Sequence, residues 1–114
     1  MLAGEAARLM GMELLLPDMA DQPMEIKGCY IGDLLSNVMG KAAGGQLWLT
    51  VITNINIVAV AQLLGLSGIV LLEGHQPAAG VLERARTEGI PVFSAEGTAY
   101  ELAKKFQKLE LLQS

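Results

Sequence analysis

Three short runs, "QLWLTVI" (46–52), "GIVLLEG" (68–74) and "GIPVFSAEG" (89–97), are rich in β-branched and large apolar residues over the length of a strand. Between them lie "NIVAVAQLLGL" and "AAGVLERARTEG", each long enough for a helix and with apolar positions three or four apart. Strands that alternate with helices imply parallel βαβ units joined by right-handed crossovers. A run that is apolar without interruption, such as "IVLL", belongs to a sheet covered on both faces. The predicted fold class is therefore α/β: a three-layer α/β/α sandwich with a mostly parallel sheet, containing about residues 46–52, 68–72 and 90–94.

The remaining segments extend this pattern. "GEAARLMGMEL" places Ala6, Leu9 and Met10 at helical spacing, and residues 17–23, "PDMADQP", read as a loop. "MEIKGCYIG" is a further predicted strand. "DLLSNVMGKA" follows as a short helix, with Asp33 placed to cap it or favour its first turn and Gly44-Gly45 ending it. "TAYELAKKFQKLELLQ" is the closing helix. The likeness of "SGIVLLEG" to "EGIPVFSAEG", aligned on Gly68 and Gly89, suggests a repeated supersecondary unit.

A chain of 114 residues suits one domain with a real core. We take residues 1–114 as a single domain, with 1–23 as an N-terminal helix and loop and 24–110 as the α/β core. Hydrophobic residues make up 52% and charged residues 18%, which excludes a disordered chain and implies some apolar surface. The formal charge of −4 lacks the basic excess that binds phosphate backbones, so nucleic acid is not an expected partner. Cys29 is the only cysteine, which rules out an intrachain disulfide and fits a reducing compartment. The N-terminus has no basic start followed by a long apolar run, and no stretch reaches the roughly 18 apolar residues of a membrane span. A soluble, cytoplasmic protein without a membrane partner is expected.

The predicted helix from about Ile55 to Leu64 is apolar nearly all round, with only Gln62 in the polar class after its first turn. A helix on the face of a small domain ordinarily keeps one wet side. Its apolar surface is covered either by other elements of the chain or by a second copy.

In an open parallel sheet, ligands sit beyond the carboxyl ends of the strands, where helix N-termini present unpaired N–H groups. The three strand exits read Thr53-Asn54-Ile55-Asn56, Glu73-Gly74-His75-Gln76-Pro77 and Ser94-Ala95-Glu96-Gly97-Thr98. The candidate ligand-binding residues are Thr53, Asn54, Asn56, Glu73, His75, Ser94 and Thr98. Equally, Thr, Asn and Ser are preferred helix caps and Gly74 and Gly97 suit turns, so the same residues serve as capping devices. Two amides where one cap suffices leave room for a ligand or a partner chain.

His75 is the only histidine and has no cysteine or carboxylate cluster beside it, so a metal site and the usual nucleophilic triads lack parts. Neither GxxxxGK[ST] nor GxGxxG occurs, and "GKAAGG" precedes a strand rather than following one. Glu73 and Glu96 are acid or base candidates only through sharing the same edge. No catalytic residue, cofactor or metal is expected.

Over about Ile31 to Phe106 the chain resembles a DRTGG domain in its short single-domain form. "TNINIVAVA", "GIVLLEG" and "GIPVFSAEGTAYE" carry the likeness. The family is similar to the N-terminal domain of the bifunctional HPr kinase/phosphorylase, and related domains occur beside CBS domains and in phosphate acetyltransferases. The resemblance implies an α/β accessory domain concerned with regulation and subunit association. No Asp-Arg-Thr-Gly-Gly string is present; Thr53-Asn54-Ile55-Asn56 stands near its place. Roles of that motif's Asp and Arg are therefore not carried over, nor is the kinase's P-loop chemistry, nor the adenine-nucleotide binding of CBS neighbours.

Together these features lead to a non-enzymatic regulatory or protein-interaction module, a homodimer or an accessory to a metabolic enzyme. The alternative is a binding protein or minor enzyme for a small anionic metabolite, using the edge lined by the seven candidates.

Overall fold

The computed structural model describes residues 1–113. In chain order it contains α1 (Ala3–Met10), β1 (Glu13–Leu14), a 3₁₀ turn (Pro17–Met19), β2 (Cys29–Ile31) and α2 (Leu35–Lys41). There follow β3 (Leu47–Thr50), α3 (Asn56–Leu64), β4 (Gly68–Leu71), α4 (Val81–Glu88), β5 (Val92–Ser94) and α5 (Ala99–Gln113). The sheet order is β1-β5-β4-β3-β2. Strands β2 to β5 are mutually parallel, whereas β1 runs antiparallel to β5 with Glu13 opposite Ser94 and Leu14 opposite Phe93. The predicted α/β sandwich with a mostly parallel sheet is the observed one.

Successive right-handed crossovers that move in one direction across a sheet deposit their helices on one face. That is the arrangement here: α2, α3 and α4 cover one face, and α1 and α5 cover the other. Side chains of a strand alternate between faces, so each central strand feeds both cores. Leu47 and Leu49 of β3, Val70 of β4 and Phe93 of β5 pack with Ala6 and Met10 of α1 and Leu102 and Phe106 of α5. Trp48, Ile69, Leu71 and Val92 pack with Val38, Ile57, Val58, Ala61, Val81 and Ala85 of the opposite layer. All four residues of β3 and of β4 are buried, which is why these strands read as continuous apolar runs.

Several local expectations are corrected. The first helix stops at Met10, because Gly11 takes a left-handed φ of 63° and caps it; residues 13–14, assigned above to that helix, instead form the antiparallel edge strand. The 17–23 loop contains the 3₁₀ turn, which Arg86 of α4 grips through Asp18 at 2.9 Å, and Gln22 Nε2 donates to the Gly89 carbonyl at 2.7 Å. The predicted strand from residue 24 shrinks to Cys29–Ile31, since Gly28 at φ 146° breaks the regular ladder. Helix α2 ends at Lys41, and Ala42 is already extended; the following glycines turn the chain into β3.

The repeat is real as geometry but its glycine alignment shifts. Gly68 lies within β4, whereas Gly89 is the left-handed residue that ends α4; its counterpart is Gly65, which ends α3. After each, a buried residue folds back, Leu66 N–H onto the Ala61 carbonyl and Ile90 N–H onto the Ala85 carbonyl, both at 2.9 Å. Glycine adopts this αL geometry without the Cβ penalty that other residues meet.

The apolar surface of helix α3 divides in two. Ile57, Val58, Val60 and Ala61 are buried within the chain and Leu64 is half-buried, so this part is covered by the sheet and its neighbours. Exposed on the outer side are Ile55, Asn56, Ala59, Gln62 and Leu63.

Candidate functional site

Because β3, β4 and β5 are parallel, their three exits lie along one edge of the sheet, and all seven candidates are brought there. The exits diverge: the chain leaves β3 and β4 toward α3 and α4 on one face, and leaves β5 toward α5 on the other. Such divergence between neighbouring strands is what opens a ligand crevice in α/β sheets. Here backbone hydrogen bonds bridge it: Glu73 N–H donates to the Gly97 carbonyl at 3.0 Å and Gly74 N–H to the Ala95 carbonyl at 2.9 Å, while Ala78 N–H, donating to the Thr53 carbonyl at 2.9 Å, ties the β3 and β4 exits to each other.

The side chains follow the same economy. Asn54 Oδ1 accepts from Asn56 N–H at 2.9 Å, so Asn54 closes the turn that starts α3 although Ile55 occupies the cap position itself. Asn56 contributes its backbone to that turn; among the described residues its exposed amide has no hydrogen-bond partner, and neither has the half-buried Thr53 hydroxyl. His75 Nδ1 lies 2.8 Å from the Leu72 carbonyl, which selects the tautomer protonated on that nitrogen. Ser94, buried at 6% exposure, accepts from Gln76 Nε2 at 3.3 Å.

Thr98 and Glu101 form a reciprocal capping box at the start of α5: Thr98 N–H donates to Glu101 Oε1 at 3.0 Å, and Glu101 N–H to Thr98 Oγ1 at 3.3 Å. The Thr98 backbone donor and then its hydroxyl hold the Glu101 carboxyl below the usual glutamate range. Glu73 is the one non-glycine residue with positive φ among those described, at 57°; such a conformation costs on the order of 1–2 kcal/mol, which the bond to Gly97 helps to offset. Glu96 Oε2 sits so close to the Gly74 backbone that a Cβ there would stand 3.1 Å away. Glu73 and Glu96 thus share the edge as expected.

One participant was misread from the sequence. Asp33 makes no cap for α2, whose first residues have none from a side chain. Its Oδ1 instead accepts from Thr50 Oγ1 and from Val51 N–H, both at 2.8 Å. Thr50 is fully buried, and while its oxygen accepts from Ile52 N–H at 3.1 Å, its hydroxyl proton has Asp33 as acceptor at the end of β3. The signal was available: Asp33 follows directly on "CYIG", the exit of the fourth parallel strand.

Two cavities lie away from this edge. A cavity of about 470 Å³ sits at the opposite end of the sheet, between Gln22, Lys27, Gly45, Gly65, Ser67 and Gly89. A smaller one of about 250 Å³ runs along α5 between Glu101, Lys104, Lys105 and Lys108. Among the described residues no group of three or more His, Cys, Asp or Glu could hold a metal ion, and no helix is long and apolar enough to cross a membrane. Burial pushes the Cys29 thiol above its ordinary value, with the Glu110 charge adding to the shift.

No protein-family model matches the chain, and no curated protein matches it in sequence. In fold it is similar to the CBS and DRTGG domains of the regulatory region of a Clostridium perfringens pyrophosphatase, a structure complexed with that enzyme's activator, diadenosine tetraphosphate. The TM-score is 0.63 at 13% identity, over 90% of this chain and 44% of that one. This chain thus spans less than half of that region's length. At such identity the likeness is one of fold.

Proposed function

We propose that this chain is a regulatory or protein-interaction module of DRTGG type, non-catalytic, self-associating and accessory to a metabolic enzyme. The observation that carries the reading is the state of the carboxyl edge. Where an α/β enzyme keeps its reactive groups open, here Asn54 serves a turn and Thr98 a cap, Ser94 accepts from the Gln76 side chain, His75 leans on a backbone carbonyl, and the exits are laced together. The fold-level likeness to a regulatory region supports it. In this reading residues 1–114 act as one domain.

A second reading assigns the same edge to a small anionic metabolite. It is favoured by the exposed amides beside the start of α3 and by the nucleotide activator held in the similar structure. Two measurements on the purified chain separate the readings: sedimentation velocity from micromolar to submillimolar concentration, and thermal shift against a panel of anionic metabolites that includes diadenosine tetraphosphate. Self-association without any ligand shift supports the interaction module. A shift by one metabolite, abolished by Asn56→Ala or Thr53→Ala, supports the binding protein instead. ATP-dependent phosphate transfer to a protein by the chain, lost on a point substitution, would overturn both.

A further inference from the structure

The exposed face of α3 has a symmetry that the fold of one chain does not require. At about 100° per residue, Ile55, Asn56, Ala59, Gln62 and Leu63 all fall within roughly 60° of Ala59 around the helix. Their order along the chain is apolar, amide, small, amide, apolar. Turned end for end about Ala59, the pattern maps onto itself: Ile55 meets Leu63, and Asn56 meets Gln62. A surface that is its own complement under a two-fold rotation is what an isologous dimer contact demands.

Resting on the self-association reading above, we infer that two copies pack α3 against α3, antiparallel, across a two-fold axis at Ala59. Leu63 is 70% exposed and Ile55 45% exposed, the two large apolar residues of this face, and each would be covered by the other on the partner. Ala59 at the crossing lets the backbones approach closely. Asn56 and Gln62 each offer an amide with both donors and an acceptor, and across the axis they can satisfy one another. No charged side chain occurs from Ala42 to Leu72, so α3 itself brings no like charge to the contact although each chain carries −4.

A nine-residue helix spans only about 13 Å, and a standard interface covers roughly 800 Å² on each partner. The contact therefore extends to Met39 of α2, 48% exposed on the helix beside α3, and a micromolar affinity is expected.

The experiment measures sedimentation of the full chain and of Leu63→Asp, together with oxidative cross-linking of single-cysteine variants built on Cys29→Ser. Native self-association should weaken at least about tenfold in Leu63→Asp, since a charge is forced against the apolar Ile55 of the other copy. Leu63 is exposed, so unchanged circular dichroism will show that the variant still folds. Ala59→Cys should cross-link to itself, and Ile55→Cys should cross-link to Leu63→Cys but not to itself. A dimer that persists in Leu63→Asp and gives no Ala59→Cys product overturns this contact while leaving self-association standing. Self-cross-linking of Ile55→Cys and of Leu63→Cys would overturn the antiparallel register. A native chain that stays monomeric at submillimolar concentration overturns the contact and the self-association reading together.

Discussion

The two helical layers bury equivalent cores against the sheet but meet solvent differently. Helix α5 turns Leu102, Phe106 and Leu109 inward and shows Glu101, Lys104, Lys105, Lys108 and Glu110 outward. Lys104 even lies 5.3 Å from the ring of the exposed Tyr100. Helix α3, in the other layer, turns Ile57, Val58, Val60 and Ala61 inward and shows two large apolar residues, an alanine and two amides. Water explains the outer face of α5. Folding alone explains only the inner face of α3; its outer face is the one we propose meets a second copy.

The largest expected effects test whether the cores really are equivalent. Ile57→Ala on α3 and Phe106→Ala on α5 should each lower the unfolding free energy by about 2–5 kcal/mol in urea titration, because both side chains are buried and leave cavities. A negligible loss in either would show that its layer is not a packed core.

Next comes the link between the layers' common edge and the sheet. Asp33→Ala should cost about 1–3 kcal/mol, out of proportion to the exposure of Asp33, because it leaves the proton of the buried Thr50 hydroxyl without its acceptor. Asp33→Asn should recover much of that loss. Equal loss in both variants would show that charge, not hydrogen bonding, matters there.

Smaller still is the start of each helix. Asn54→Ala should destabilise by about 0.5–2 kcal/mol, the usual range for losing a capping oxygen. A variant as stable as the native chain would free Asn54 from its turn and strengthen the ligand reading of that edge.

The capping box of α5 adds a pH signature. Glu101 titrates below the usual range in the folded chain, chiefly through the Thr98 N–H. Its contribution is therefore present above the unfolded-state value and lost as pH falls through the lowered folded-state value. Glu101→Gln should flatten the acid limb of the melting temperature slightly and leave neutral pH nearly unchanged; a steeper limb would refute the assignment.

Much of this was legible. The candidates gathered on one edge because parallel strands must exit together, Asn54 is a turn-forming type used in a turn, and Thr98 is a capping type used as a cap. Other features escaped for definite reasons. Glu13 and Leu14 are too few to show a strand's period, and only pairing with β5 makes them one. Asp33 sat where helix caps occur, but a buried Thr50 hydroxyl offered it a stronger claim.

What the sequence determined by itself is the layered architecture, since alternating strand and helix periods with strands apolar on both sides admit few other packings. What only the tertiary structure decided is which side of α3 is covered. A helix that is apolar nearly all round has too weak a periodicity to choose its own inner face. Contact with Trp48, Ile69 and Leu71 of the sheet and with Val81 and Ala85 of α4 made that choice, leaving Ile55, Ala59 and Leu63 outside.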